Sequence, residues 1–237
     1  MPFPASPLPS PSHRTRRTEV EAEFWLSRWR EGQLGWHLPA TNPHLLRHWA
    51  TVCPDPRRRV LVPLCGRSLD LAWLAGRGHP VVGVELSPVA AADFFALAGL
   101  EAEVSHRARY TCYAGHGIEI LQGDFLALQA ADCPALGAWY DRGALVALPP
   151  ELREGYVATL ARVLPAGARG LLVATEYQAG AMQAPPFPLD AATVRAALAA
   201  DFRLELLERV DALADNPRFR ERGLQAYHES CWLLERR

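Results

Sequence analysis

Residues 57–87, R-R-R-V-L-V-P-L-C-G-R-S-L-D-L-A-W-L-A-G-R-G-H-P-V-V-G-V-E-L-S, constrain the fold of this chain more than any other stretch. A short apolar run at 60–64 breaks at a Cys-Gly turn and gives way to a helical pattern through Leu69, Trp73 and Leu74. That pattern stops at Gly76 and Gly78, and a second apolar run follows at 81–86. Strand, helix and strand in this order and at these lengths predict the right-handed crossover unit of a parallel sheet.

The two strand ends carry ligand chemistry. Gly66 follows the first strand without a Cβ, so a ligand can approach the main chain there, beside a helix N-terminus. Glu85 ends the second strand about 20 residues on, where a carboxylate can accept both hydroxyls of a ribose. Together they form a nucleoside grip, and the phosphate chemistry separates the candidates. A dinucleotide asks for G-x-G-x-x-G, whereas the turn here reads P-L-C-G-R-S with one glycine; nothing matches G-x-x-x-x-G-K-[ST] either. NAD and ATP lose ground, and S-adenosylmethionine, an adenosine without phosphate, fits what remains. A plain crossover unit with a tight turn and a surface Glu is the competing account.

The 237 residues, 49% hydrophobic and 22% charged with net charge -1, suit one globular domain with a substantial core. Near-neutral charge gives no footprint for nucleic acid, and no apolar run reaches the roughly 20 residues of a membrane span. Five scattered cysteines without a C-x-x-C pair predict free thiols and a cytoplasmic location. No metal is expected; His44 and His48, one helical turn apart, are the single hint of a zinc site.

Residues 1–18 alternate proline with small and basic residues and read as a disordered tail without the apolar core of a secretory signal. A single domain of 19–237 follows, divided into an N-terminal helical lid at 19–50 and a Rossmann-like core at 57–237. The lid opens with an amphipathic helix that places Phe24, Trp25 and Trp29 at helical spacing and ends at Gly32. Trp29 reads first as core; Trp25 is open between core and ligand. Trp36 and His37 lie in a Gly- and Pro-bounded loop, where the Trp either closes over a flat ligand or packs on the sheet. Asn42 and Pro43 then open a second helix as N-cap and N1.

Beyond Glu85, Ser87-Pro88 opens another helix, 101–117 reads as polar and irregular, and I-E-I-L-Q-G-D-F-L forms a strand. Gly123 and Asp124 at its end either meet an adenine or simply make a turn. A strand at 137–140 ends in Asp141 and Arg142, an ion pair or a ligand contact or both. The loop A-G-A-M-Q-A-P-P-F-P-L-D is too apolar for a linker: Met182, Pro185, Pro186 and Phe187 can wall a hydrophobic pocket. Open α/β sheets bind ligands at strand carboxyl ends, where Leu64, Glu85, Asp124 and Arg142 all fall. Two closing strands make an antiparallel C-terminal end, and Cys65 in the turn reads as a small apolar filler.

Several of these stretches resemble one family. F-W-x-x-R-W-x-x-G-Q-L-G-W-H, V-P-L-C-G-R-S-L-D-L-A-W-L-A-G-R-G-H, V-V-G-V-E-L-S, G-D-F, Y-D-R-G-A-L-V-A-L-P-P and P-P-F are similar to successive signatures of thiopurine S-methyltransferases, bacterial members above all. The resemblance runs from residue 19 to the C-terminus. It implies an α/β, Rossmann-like class I fold for an S-adenosylmethionine-dependent methyltransferase, with a mostly parallel sheet, an antiparallel C-terminal end and helices on both faces. It implies that Trp25, Leu64, Glu85 and Arg142 contact S-adenosylmethionine, with Gly123 and Asp124 at its adenosine half; Trp29 and Gly66 join that set. Trp36, where the family usually has Phe, stands beside the acceptor with His37, Pro186 and Phe187. Arg67 replaces the family's usual Lys and keeps its charge.

Methyl transfer from a sulfonium to a thiolate cancels charge, so alignment and exclusion of water should supply most of the acceleration. Arg142 is the expected catalytic residue, favouring or orienting the thiolate, and Asp141 is expected to brace it. The expected acceptor is a thiopurine or another small aromatic or heterocyclic thiol, taken by a monomer without nucleic-acid or membrane partners. Methylation of selenium or tellurium oxyanions, with metalloid resistance, is the alternative within the class. A non-catalytic S-adenosylmethionine sensor is the alternative outside it.

Overall fold

The computed structural model describes the backbone of residues 11–237 and the side chains of residues 21–237. The chain divides into two compact units, 1–35 and 36–237. The first carries helix α1, Pro11–Arg30, which begins well before the expected start at residue 19 and takes in part of the stretch read as a disordered tail. The rest of that tail, residues 1–10, lies outside the described residues. On α1 the Phe24 and Trp25 rings meet edge to face at 5.2 Å, and the Arg28 guanidinium covers Phe24 at 4.4 Å.

The second unit is built on one nine-stranded sheet. At its centre the expected crossover unit forms as β1 (Arg59–Pro63), α3 (Leu69–Gly76) and β2 (Val81–Glu85). With β5 (Ile118–Gln122), β6 (Leu136–Arg142) and β7 (Arg169–Glu176) these strands pair in parallel in the order β5-β2-β1-β6-β7. β9 (His228–Arg236) and β8 (Phe202–Asp211) add antiparallel to β7, as expected. The opposite edge corrects the sequence reading. The segment 101–117 forms a hairpin, β3 (Glu103–Arg107) and β4 (Tyr110–Gly115), which extends β5 antiparallel. Its alternating half-exposed residues bury too little apolar surface for the pattern to announce a strand.

Side-chain alternation sorts the sheet into two faces. Val60, Val62, Ile120, Ala138, Tyr140, Val173 and Cys231 pack with α2 (Pro43–Val52), α3 and α4 (Pro88–Ala98). Leu61, Val82, Leu121, Trp139, Leu172 and Trp232 pack with α5 (Pro150–Val163) and α6 (Ala191–Leu198) on the other. Helices therefore cover both faces. Asn42, Ser68, Ser87 and Asp190 each accept a backbone N–H at the start of α2, α3, α4 and α6, so side-chain caps rather than burial alone set where these helices begin.

Helix α2 belongs to the core and not to a separate lid. Leu45, Trp49 and Val52 are buried against β1 and β7, and the Trp49 indole donates to His79 Nε2 at 2.9 Å. Asn42 N–H, at the head of α2, donates to Asp70 Oδ1 on α3 at 2.8 Å. One buried carboxylate thus ties the helix to the central crossover.

Two glycines give opposite expectations. A Cβ on Gly170 of β7 would stand 2.2 Å from the buried Trp139 ring, whereas one on Gly155, on the exposed side of α5, would meet only Leu126 at 3.8 Å. Gly170→Ala should lower stability by roughly 1–3 kcal/mol or more through overpacking, and Gly155→Ala should raise it by about 0.5–1 kcal/mol. Urea unfolding of the two variants checks both signs.

Candidate functional site

Parallel pairing brings the carboxyl ends of β5, β2, β1 and β6 side by side: Pro63 is level with Val84, and Glu85 with Gln122. The turn after β1 is held in an uncommon shape, with Leu64 at φ +47° and Gly66 at φ +55°. A non-glycine residue in the left-handed region costs energy and marks a place where the chain is shaped by more than local preference. Cys65 between them is buried, and its thiol is pushed well up by burial and then by the Glu85 charge. It fills the space that Gly83 leaves open; a Cβ there would stand 2.6 Å from its Sγ.

Glu85 is almost fully buried. Its Oε2 accepts the Gly66 N–H at 2.8 Å and its Oε1 the Ser87 N–H at 2.7 Å. Burial raises its carboxyl pKa, and backbone N–H groups of Ser87, Gly66 and Leu86 oppose that rise. Each oxygen keeps a second acceptor site, so the carboxylate that joins the two turns can still receive two ribose hydroxyls. Gln122 Nε2 donates to the Leu86 carbonyl at 2.9 Å and Gly123 N–H to the Glu85 carbonyl at 2.8 Å, which lock β5 to the same turn. Asp124 is exposed, and its Oδ1 accepts the Leu126 N–H at 2.8 Å, so one of its oxygens makes the turn. These donors and acceptors suit an uncharged nucleoside.

Arg142 ends β6 and its Nη1 donates to the Trp36 carbonyl at 2.9 Å. That bond joins the Trp36-His37 loop to the strand end. The half-buried His37 has its pKa lowered by burial first and then by the charges of Arg67 and Arg142, with Asp70 opposing, which puts all four groups in one neighbourhood. Asp70, absent from the sequence reading, is the organiser there. Its Oδ1 takes the Asn42 N–H and its Oδ2 takes the Tyr140 hydroxyl at 3.1 Å.

Asp141 does not brace Arg142. The two are consecutive residues of β6, so their side chains leave opposite faces of the sheet. Asp141 Oδ2 instead accepts the Tyr156 hydroxyl of α5 at 2.6 Å, and Oδ1 accepts the Leu145 N–H at 3.2 Å. Burial pushes its carboxyl up to about 6, against the pull of those hydrogen bonds. Asp141 shapes the turn that follows β6.

The apolar loop lands beside that turn. Phe187 N–H donates to the Val146 carbonyl at 2.7 Å, Thr175 Oγ1 donates to the Phe187 carbonyl at 3.4 Å, and the Tyr177 hydroxyl donates to the Pro186 carbonyl. Pro186 and Phe187 are thereby pinned at the ends of β6 and β7. Met182 and Tyr177 pack on a small cluster of Ala212, Phe219, Leu224 and Tyr227. Beside it, on the short helix α7 (Pro217–Glu221), stands Arg218, its guanidinium 4.6 Å from the Phe219 ring. Burial and then the positive field of Arg142 lower the Arg218 pKa, so two guanidiniums share this end of the sheet. Nothing in the local pattern of P-R-F-R-E distinguishes Arg218 from its neighbours, and it was not foreseen. Trp25 and Trp29 lie one turn apart on α1, in the other unit.

Two variants test this geometry without any ligand. Glu85→Gln replaces one acceptor by a donor, leaving the Gly66 or Ser87 N–H unpaired, and should cost roughly 1–3 kcal/mol in urea unfolding. The folded pKa of Asp141 lies above its unfolded value, so its contribution to stability is complete below about pH 4 and is lost as pH rises through about 6. Asp141→Asn should therefore gain stability relative to the parent by about 3 kcal/mol between about pH 4 and pH 7. A constant difference across that range would contradict the assignment.

Comparisons with known proteins give the family and the fold. The family model described as thiopurine S-methyltransferase matches residues 20–237. A thiopurine S-methyltransferase of Pseudomonas paraeruginosa is 46% identical over 217 residues, covering 92% of this chain and 100% of that protein. One of Azotobacter vinelandii is 47% identical over 218 residues, with the same coverage. Among solved structures, the Burkholderia thailandensis 1,6-didemethyltoxoflavin-N1-methyltransferase, with 1,6-didemethyltoxoflavin and S-adenosylhomocysteine bound, superposes with a TM-score of 0.61 at 18% identity, over 98% of this chain and 93% of that one. Its likeness bears on the fold. With nearly the whole chain matched by the family model and by relatives well above chance identity, the chain belongs to the thiopurine S-methyltransferase family and is an S-adenosylmethionine-dependent methyltransferase.

Proposed function

We propose that the chain transfers the methyl group of S-adenosylmethionine to the sulfur of a small aromatic or heterocyclic thiol, thiopurines among them. The observation that carries this reading is Arg142 at the end of β6, anchored to the Trp36 carbonyl at 2.9 Å, on a sheet that also carries an apolar cluster under Met182 and Tyr177 and has no phosphate-binding turn. When bound, the cofactor supplies a methyl on a positively charged sulfur. Gly66, Glu85 and the ends of β1 and β2 hold its nucleoside half in this reading, with Leu64, Gly123 and Asp124 as further contacts; for Trp25 and Trp29 a cofactor role rests on the family resemblance alone.

The residues of the chain do the remaining work. Arg142, fixed through the Trp36 carbonyl, keeps the rest of its guanidinium fork for an acceptor anion, and Arg218 adds a second cation in a partly desolvated place. Both favour the thiolate form, and an aromatic thiol is acidic enough to need no dedicated base near neutrality. Trp36, His37, Pro186 and Phe187 line the acceptor side and exclude water, which strengthens the hold of the arginines on the thiolate. All five cysteines are free and buried, which suits a reducing compartment, and we place the activity in the cytoplasm.

Release of S-adenosylhomocysteine with 6-mercaptopurine, thiophenol, selenite, tellurite or no acceptor tests the reading. Turnover with the aromatic thiols is expected. Turnover confined to selenite or tellurite would move the function to metalloid methylation, and binding without turnover would favour a sensor. Arg142→Ala should lower kcat/KM for the thiol by about 10- to 100-fold, the worth of one charge-assisted hydrogen bond, with Arg142→Lys between. Parent kcat/KM in both variants would remove Arg142 from the mechanism.

A further inference from the structure

At the sheet's antiparallel end, α2 meets β8 and β9. His44 and His48 lie one turn apart on α2 with their rings parallel, centroids 6.5 Å apart. The β8-β9 ladder slips here: Leu206 is level with Trp232, but Glu208 is level with Cys231, so Leu207 is an extra residue. Strict alternation would have put Leu207 opposite Cys231 and sent the Glu208 side chain to the other face. The bulge re-aims Glu208 to the face that α2 covers, beside the buried Cys231.

The consequence is a cluster of four donors of three kinds from three elements. Ligand atoms of His44, His48, Glu208 and Cys231 all lie within 4.8 Å of one another, the one such grouping of metal-binding types among the described residues. Glu208 Oε2 lies 3.3 Å from His44 Nδ1 and 2.9 Å from His48 Nε2. The other nitrogen of His44, Nε2, lies 2.9 Å from Glu229 Oε2, and the Tyr227 hydroxyl donates to Glu229 Oε1 at 3.2 Å. Arg47 pairs with Glu208 Oε1.

We propose that His44 Nδ1, His48 Nε2, the Glu208 carboxylate and the Cys231 sulfur form a binding site for a single divalent cation of borderline softness, with zinc the best match. Two imidazoles, one thiolate and one carboxylate make a four-coordinate set typical of zinc and unsuited to calcium or magnesium, which ask for oxygen alone. Zinc bonds of about 2.0–2.3 Å put neighbouring ligand atoms roughly 3.5 Å apart, so two of the separations are already in range and the cluster must contract only modestly. Glu229 supplies the carboxylate that orients a ligating imidazole through its second nitrogen, with Tyr227 holding the carboxylate in turn.

Two carboxylates, Glu208 and Glu229, flank the buried His44, so the cluster carries negative charge for a cation. A dication at the centre of the cluster reverses that field. Uptake then releases the thiol proton, and any proton on the two imidazoles, to solvent, while four coordinate bonds form. The site is open enough to load, with the His48 and Glu208 side chains 15% and 23% exposed above a closed base of His44 and Cys231.

The full chain, stripped of metal with a chelator and titrated with Co²⁺ and then Zn²⁺, decides the matter. One equivalent of Co²⁺ should bind with a thiolate-to-cobalt charge-transfer band and intense tetrahedral d–d bands, both abolished by one equivalent of Zn²⁺. Cys231→Ser should lose the charge-transfer band, and His48→Ala should weaken binding at least about tenfold. Glu229→Gln, which keeps all four ligands, should weaken it by about 10- to 100-fold. His48 is partly open, so His48→Ala serves if Cys231→Ser does not fold. No stoichiometric uptake by the parent chain, or uptake unchanged in His48→Ala and Glu229→Gln, would overturn the proposal.

Discussion

The Glu85 carboxylate is the interaction on which the rest of this structure depends. It stands at the end of β2 with almost no exposure, and its two oxygens hold the backbone turns that follow β1 and β2. Burying an ionised carboxylate is costly unless its lone pairs are engaged, so the two turns and the acid stabilise one another. Remove the acid and two buried N–H groups lose partners; move either turn and the acid is stranded. The left-handed Leu64 and Gly66 persist because this arrangement leaves the turn no other shape.

The same solution recurs along the carboxyl edge of the parallel strands. Asp70 and Asp141 are also buried, and each spends its oxygens on a backbone N–H and a tyrosine hydroxyl: Asn42 and Tyr140 for the first, Leu145 and Tyr156 for the second. Three buried acids therefore hold these loops through backbone N–H groups and tyrosine hydroxyls. Arg142, by contrast, is held through a backbone carbonyl, that of Trp36.

Much of this was legible in the sequence, and for local reasons. The crossover unit of β1, α3 and β2 follows from apolar periodicity and glycine stops, and the caps Asn42 and Ser87 from side chains that satisfy the first free N–H groups of a helix. Gly66, Glu85, Gly123 and Arg142 fall at strand ends because parallel strands must end on one edge. The hairpin β3-β4 was missed because a half-exposed edge carries little apolar signal, and the start of α1 because a proline-rich segment hides helical spacing.

Sequence by itself determined what depends on neighbours along the chain: most element types, the caps, the crossover, the strand ends and the lack of a phosphate-cradle motif. Tertiary structure alone decided which side chains meet. Strand alternation separates Asp141 from Arg142 although they are adjacent in sequence, and a single bulge at Leu207 brings Glu208 and Cys231 under His44 and His48 from distant segments. Periodicity is a local property that a sequence displays, whereas the register between strands is set by the packing of the whole sheet, and no window along the chain contains it.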